Sequence, residues 1–216
     1  MKKLYLPVLA FAMAFSGVAT HASGPSGKPA QSAAPAAMQS SDKTSPSYDL
    51  KGQAIVDLQG LQKQFVDLAN AIPAEKYSWR PGEGVRSIGE VYLHIAAANH
   101  NIPTMMGAPK MDPYMAKDFQ TSITEKQKIV DELNNSFTYA ISLVQKMSNA
   151  DFAKPEKSLG PDANDGDVVY ILVTHAHEHL GQSIAYARIN GIVPPWTAAA
   201  EAAAKKKAAA APPDKD

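Results

Sequence analysis

Helical periodicity, repeated four times between residues 48 and 196, is the feature that most limits what this chain can fold into. In the first segment Ile55, Leu58, Leu61, Phe65, Leu68 and Ile72 recur at steps of three or four, and Pro73 closes the run. In the second, Ile88, Val91, Ile95, Ala98 and Ile102 form a stripe that Pro103 ends. The third carries Ile129, Leu133, Phe137, Ile141, Val144 and Met147. The fourth runs through Val168, Leu172 and Ile184 to about Asn190, where Gly191 and Pro194-Pro195 forbid continuation. Such spacing places apolar side chains on one face of a helix. Ser87-Ile-Gly-Glu90 and Ser122-Ile-Thr-Glu125 read as capping boxes, and Asp165 and Asp167 as caps for the fourth helix. No alternating run of strand length competes. Four amphipathic helices of this size bury their stripes against one another, so the expected fold is all-α, a four-helix bundle. The stretches 77–86, 107–121 and 147–165 are long enough for crossover loops.

The flanks read differently. Met1-Lys2-Lys3, an apolar run and the small-residue end Thr20-His21-Ala22 make residues 1–22 a secretory signal peptide, which places the mature protein in the periplasm or outside the cell. Residues 23–47 are Ser, Ala, Pro and Gly and read as a disordered linker. Residues 48–196 form the domain. Residues 197–216 are a low-complexity Ala/Lys tail, of high helix propensity but with no apolar face to dock. Nothing after processing reads as a membrane span. The chain has 21 basic and 21 acidic residues, and losing Lys2 and Lys3 tips the balance towards acid. There is no basic footprint for nucleic acid.

There is no cysteine. Disulfide scaffolds, thiolate metal sites and cysteine nucleophiles are therefore excluded, and any metal must be held by nitrogen or oxygen. The histidines supply the nitrogen. His175 and His179 are spaced i, i+4, which stacks two imidazoles on one face of the fourth helix. With Leu172, Gln182 and Tyr186 they make an inward stripe that is unusually polar for a core. His94 lies on the buried stripe of the second helix and can bring a third nitrogen. Three neutral imidazoles suit Zn²⁺, Ni²⁺ or another borderline divalent ion, with positions left open for water or substrate. Acid releases such an ion as pH falls through the histidine range near about 6.5. His177 and His100 fall off these faces. His177-Glu178 begins like a zinc-protease motif, but Gly181 stands where the second histidine is required, so a peptidase is excluded. Gln182 and Tyr186 are the polar neighbours placed to support the ring nitrogens or orient a ligand, and Glu178 is either a solvated acid or a group at the pocket rim that supports the site. Tyr92 reads as core. Trp79 and Trp196 read as covers over the core, and Arg188 and Asn190 as a favoured helix end.

The segments HAHEHLGQSIAYARINGIVPPW (175–196), VYLHIAAANH (91–100) and YSWRPGEGVRSIGE (77–90) together resemble the DinB-like (damage-inducible, YfiT-like) superfamily over roughly residues 48–196. The resemblance implies an up-down-down-up four-helix bundle and a divalent metal, commonly nickel or zinc, on His94, His175 and His179. It also implies a homodimer in many members, and in some a thiol-dependent transferase or isomerase activity. The combined expectation is an exported metal-binding protein acting as a metal-dependent hydrolase or thiol-type transferase on an unknown small-molecule substrate. The alternative is a non-catalytic periplasmic metal- or ligand-binding module.

Overall fold

The stripes read from the sequence become the buried faces of long helices. The computed structural model describes residues 49–210. Seven helices form among these residues: α1 (Leu50–Ala71), α2 (Ile88–Asn101), the single turn α3 (Phe119–Ser122), α4 (Lys126–Lys146), the single turn α5 (Asn149–Phe152), α6 (Asp165–Ile189) and α7 (Pro195–Ala209). Short 3₁₀ turns follow α1 at Ala74–Lys76 and α2 at Ile102–Met106. No strand forms among the described residues; only an isolated bridge joins Pro155 and Asn164. Residues 1–22, expected to be a signal peptide, and 23–47, expected to be a linker, lie outside the described residues, as does the last part of the expected tail, 211–216.

Leu58, Leu61, Phe65 and Leu68 of α1 are buried, as are Val91 and Ile95 of α2, Ile129, Leu133, Phe137 and Val144 of α4, and Leu172 of α6. Each large apolar side chain removed from water contributes about 1.5–3 kcal/mol, against tenths for most differences in helix propensity. Burial therefore decides where these helices persist. Phe65 sits at the centre, its ring centroid 5.5 Å from Phe137 and 6.3 Å from Tyr92.

α1 packs on α4 and α6, and α2 packs on the same two helices, so α1 and α2 lie diagonally across the bundle. Cross-links set the directions. Lys126, at the start of α4, donates to the carbonyls of Asn70 (2.8 Å) and Ile72 (2.7 Å) at the end of α1, and Lys51 donates to the Met147 carbonyl (2.5 Å) at the other end. α1 and α4 are thus antiparallel, and Lys126 satisfies carbonyls that the end of α1 leaves without helical partners. Asn99 donates to Ser136 (3.1 Å), and Gly89 lies beside Ile129, so α2 runs parallel to α4. A Cβ on Gly89 would stand 3.1 Å from Ile129 Cδ1 and 3.4 Å from the Tyr77 carbonyl oxygen, so this crossing favours glycine. α6 opposes α2, with His175 beside His94 and Tyr186 beside Trp79. The order is up-down-down-up, as the resemblance implies.

Two details differ from the sequence reading. Ser87 and Glu90 form the expected capping box at α2. Ser122 and Glu125 do not: Ser122 ends α3 and donates to the Phe119 carbonyl (2.8 Å), the chain extends at Ile123, and α4 starts after Glu125 without a side-chain cap. An earlier helical turn had already claimed the serine. At α6 the N-cap is Asn164, and Asp167 completes its box, so the cap lies one residue before the aspartates expected there. Beyond Gly191 (φ 77°), whose left-handed backbone suits a residue without Cβ, the chain turns into α7. Trp196 of α7 packs on the core, while residues 198–210 are exposed. Among the described residues no helix is long and apolar enough to cross a membrane.

Candidate metal centre

Antiparallel packing of α2 and α6 brings His94 opposite the turn that carries His175 and His179. One ring nitrogen from each of the three residues lies within 4.8 Å of the other two. The centroid distances are 4.5 Å for His175–His179, 4.7 Å for His94–His179 and 5.1 Å for His94–His175, all with steeply inclined planes. Such inclined rings also occur in ordinary aromatic packing; it is the approach of the three nitrogens that makes the group a candidate for metal.

Nε2 of His94 lies 3.2 Å from Nε2 of His175. Two nitrogens each about 2.0–2.1 Å from a tetrahedral ion stand about 3.3 Å apart, so the pair already has the separation that an ion would impose. The donor set, three imidazoles without thiolate or carboxylate, suits zinc and nickel alike.

Two of the three rings have a hydrogen-bonded neighbour behind them. His179 Nδ1 meets Gln182 Oε1 at 2.7 Å, so Nδ1 carries the proton and the Nε2 lone pair is free. The Gln182 amide donates to the Tyr186 hydroxyl (2.9 Å), and the Trp79 ring meets Tyr186 edge-on at 5.4 Å. His94 Nδ1 meets Gln120 Nε2 at 3.2 Å, and Gln120 Oε1 accepts from Arg86 Nε at 2.7 Å. With Arg86 holding the Gln120 oxygen, the Gln120 amide donates to His94 Nδ1, which leaves the His94 proton on Nε2 facing His175; ligation through Nε2 requires that proton to leave Nε2. His175 Nδ1 is buried without a hydrogen-bond partner.

Burial pushes His94 down to about 4, with Arg86 and the other two imidazoles acting in the same direction. Burial also lowers His175 to about 4, helped by His179 and Arg86 and opposed by Glu178. Both rings are therefore neutral at physiological pH, as metal ligation requires. Proton competition at these two rings begins well below the value near 6.5 expected from sequence.

Gln182 and Tyr186 stand where the sequence placed them. Glu178 takes the solvated alternative: it is exposed and makes no hydrogen bond to the triad among the described residues, acting on His175 only through its charge. It follows His177 on the outer face, and His177 is exposed as expected. His100 is buried elsewhere, stacked between Tyr114 (3.7 Å) and Tyr139 (4.4 Å). Tyr92 is fully buried in the core, Arg188 is exposed, and Asn190 donates to the Tyr186 carbonyl at the helix stop. Arg86 and Gln120 were not anticipated. Arg86 precedes a capping serine and Gln120 sits in a crossover, and neither position carries a periodic signal.

Beside the triad lies a cavity of about 490 Å³, bounded by α2, α6 and the segment 114–120. His94 and His175 form part of its wall. Its size falls within the range of about 300–1,000 Å³ usual for small-molecule sites.

The family model described as the DinB superfamily matches residues 57–183. No curated protein matches the chain. Among solved structures, a DinB-like protein from Bacillus cereus ATCC 10987 is similar at 17% identity and TM-score 0.58, covering 67% of this chain and 95% of that one. YfiT from Bacillus subtilis, described as a probable metal-dependent hydrolase with an unusual four-helix bundle topology, is similar at 13% identity and TM-score 0.52, covering 66% of this chain and 88% of that one.

Proposed function

This chain belongs to the DinB superfamily, and we propose that it is an exported metalloenzyme, a metal-dependent hydrolase or thiol-type transferase, with His94, His175 and His179 as its ligands. The observation that carries the reading is the convergence of three imidazole nitrogens within 4.8 Å beside a cavity of small-molecule size. The description of YfiT as a probable metal-dependent hydrolase accords with it.

A divalent ion on three imidazoles supplies a bound water of pKa near about 7, or a Lewis acid for a carbonyl or thiolate. The residues supply the rest. Gln182, held by Tyr186, keeps His179 in the ligating tautomer. Gln120, held by Arg86, orients His94. The segment 114–120 forms one wall of the cavity. The periplasm or the exterior, as the N-terminal segment suggests, is the proposed location.

One observation favours the second reading, a non-catalytic metal- or ligand-binding module. No carboxylate is hydrogen-bonded to the triad among the described residues, so hydrolysis has no adjacent general base.

The test is elemental analysis of untagged mature protein. The same preparation is then assayed with ester, amide and thiol-transfer substrates, before and after chelation. About one zinc or nickel per chain with chelator-sensitive turnover supports the enzyme. Full metal without turnover on any substrate class leaves the binding module. No metal in protein purified or reconstituted with either ion rejects the enzyme and the metal-binding module, and leaves only the ligand-binding form of the second reading.

A further inference from the structure

We propose that the cavity beside the triad takes a compact, largely apolar molecule bearing a single negative charge, which Lys117 receives at the mouth. The inference rests on the preceding reading only in placing the reacting group at the His94–His175 end.

The walls define the body of the ligand. Ala97 and Ala98 on α2 face Ile171 on α6, with Met115 and Phe119 from the covering segment. The two small alanines leave room on this part of α2, and the facing Ile171, Met115 and Phe119 are aliphatic or aromatic. Polar atoms line the cavity at Asn101, Tyr114, Gln120 and the two histidines, so the apolar stretch between them suits a compact apolar body with few polar groups.

The charges define the end group. No aspartate or glutamate lines the cavity, and Lys117 is the sole charged side chain that does. Lys117 is exposed and takes part in no ion pair among the described residues. Arg86 adds positive charge behind Gln120. Such a chamber disfavours a ligand that ends in an ammonium group at Lys117.

The cover is fastened at both ends, so the shape is built in. Asn101 donates to the Tyr114 carbonyl (3.0 Å), Tyr114 stacks on His100 and donates to Glu132 (3.0 Å), and Phe119 meets Tyr114 edge-on at 5.0 Å. At the far end Gln120 is tied to His94 and Arg86. Between these ties Met115, Ala116 and Lys117 span the opening.

The test compares three probes of one shape by calorimetry on the mature protein: 4-phenylbutyrate, 4-phenylbutyramide and 4-phenylbutylamine. Each is titrated into metal-replete and into chelated protein. The expected order is anion, then amide, then amine, with the anion about fivefold tighter than the amide, the scale of one partly exposed ion pair. Lys117→Gln brings anion and amide within about twofold. Ala98→Leu weakens all three at least about tenfold without changing metal content, and Ala116→Phe does the same from the exposed cover should the α2 variant fail to fold. An anion preference that survives Lys117→Gln overturns the proposal, as does a preference abolished by chelation alone. Binding untouched by both bulky variants, or no binding by wild type, also overturns it. Loss of probe binding with metal retained counts against this inference alone. Absence of metal with probe binding retained counts against the metal reading alone.

Discussion

His94 and His175 meet Nε2 to Nε2 at 3.2 Å although 81 residues separate them in the chain. Their rings are held from behind by different means, His94 through Gln120 and Arg86, His175 by burial alone. That contact turns a helical histidine pair into a three-nitrogen centre, and the first prediction follows from it. His175→Ala lowers metal affinity at least about 100-fold, because a two-imidazole site remains. His177→Ala, on the exposed face of the same helix, leaves affinity unchanged. Elemental analysis of the two variants, with circular dichroism to establish the fold, checks both. Full stoichiometry in His175→Ala would remove the site.

Gln182 accepts the Nδ1 proton of His179 and so favours ligation through Nε2, whereas Gln120 donates to His94 Nδ1. Gln182→Leu weakens metal binding by about 10–100-fold, the range for groups that orient a ligating imidazole, and Gln120→Leu weakens it less. Glu178→Gln has little effect, since that side chain is exposed. Competition titration with a chromophoric chelator measures all three. A large loss in Glu178→Gln combined with none in Gln182→Leu contradicts the arrangement described.

His100 gives a pH prediction free of the metal centre. Burial between Tyr114 and Tyr139 holds it down to about 4 from the ordinary 6.5. Above the unfolded value both states are neutral and its contribution to stability is fully present. As pH falls from about 6.5 to 4 the unfolded chain takes up a proton that the folded chain refuses. Stability then falls by up to about 1.4 kcal/mol per pH unit for this residue. Below about 4 the loss levels off. His94 and His175, lowered in the same way, add to the slope in chelated protein. Urea midpoints at pH 7, 5.5 and 4.5 should therefore decline, and His100→Phe should make the decline shallower. An identical slope in that variant would rule out His100 as a source.

Two serines with the same local signature give a matched comparison. Ser87→Ala removes a formed capping box and costs about 1 kcal/mol. Ser122→Ala removes only a hydroxyl bond within a single turn and stays within about 0.5 kcal/mol. Chemical denaturation of the two variants distinguishes them, and equal losses would mean that Ser122 caps α4 after all.

The same contrast marks how far local sequence carries. Ile55 to Ile72, Val91 to Ile102 and Ile129 to Met147 announced their helices because periodicity and stop signals act within a few residues. Placing His175, His179, Gln182 and Tyr186 on one stripe needed nothing more. Ser122 misled because a capping motif is read without knowing whether another turn has already used the serine.

Sequence alone determined that the described chain is helical, that its apolar faces demand a bundle, and that three inward histidines lie on two of its helices. Tertiary structure alone decided that α1 and α2 sit diagonally, that Gln120 and Arg86 stand behind His94, that His100 is enclosed by two tyrosines, and that a cavity opens beside the triad. The division has one physical cause. Helix formation and its face are set by interactions three or four residues apart, whereas these other contacts join positions on different elements whose packing depends on the shape of every side chain between them.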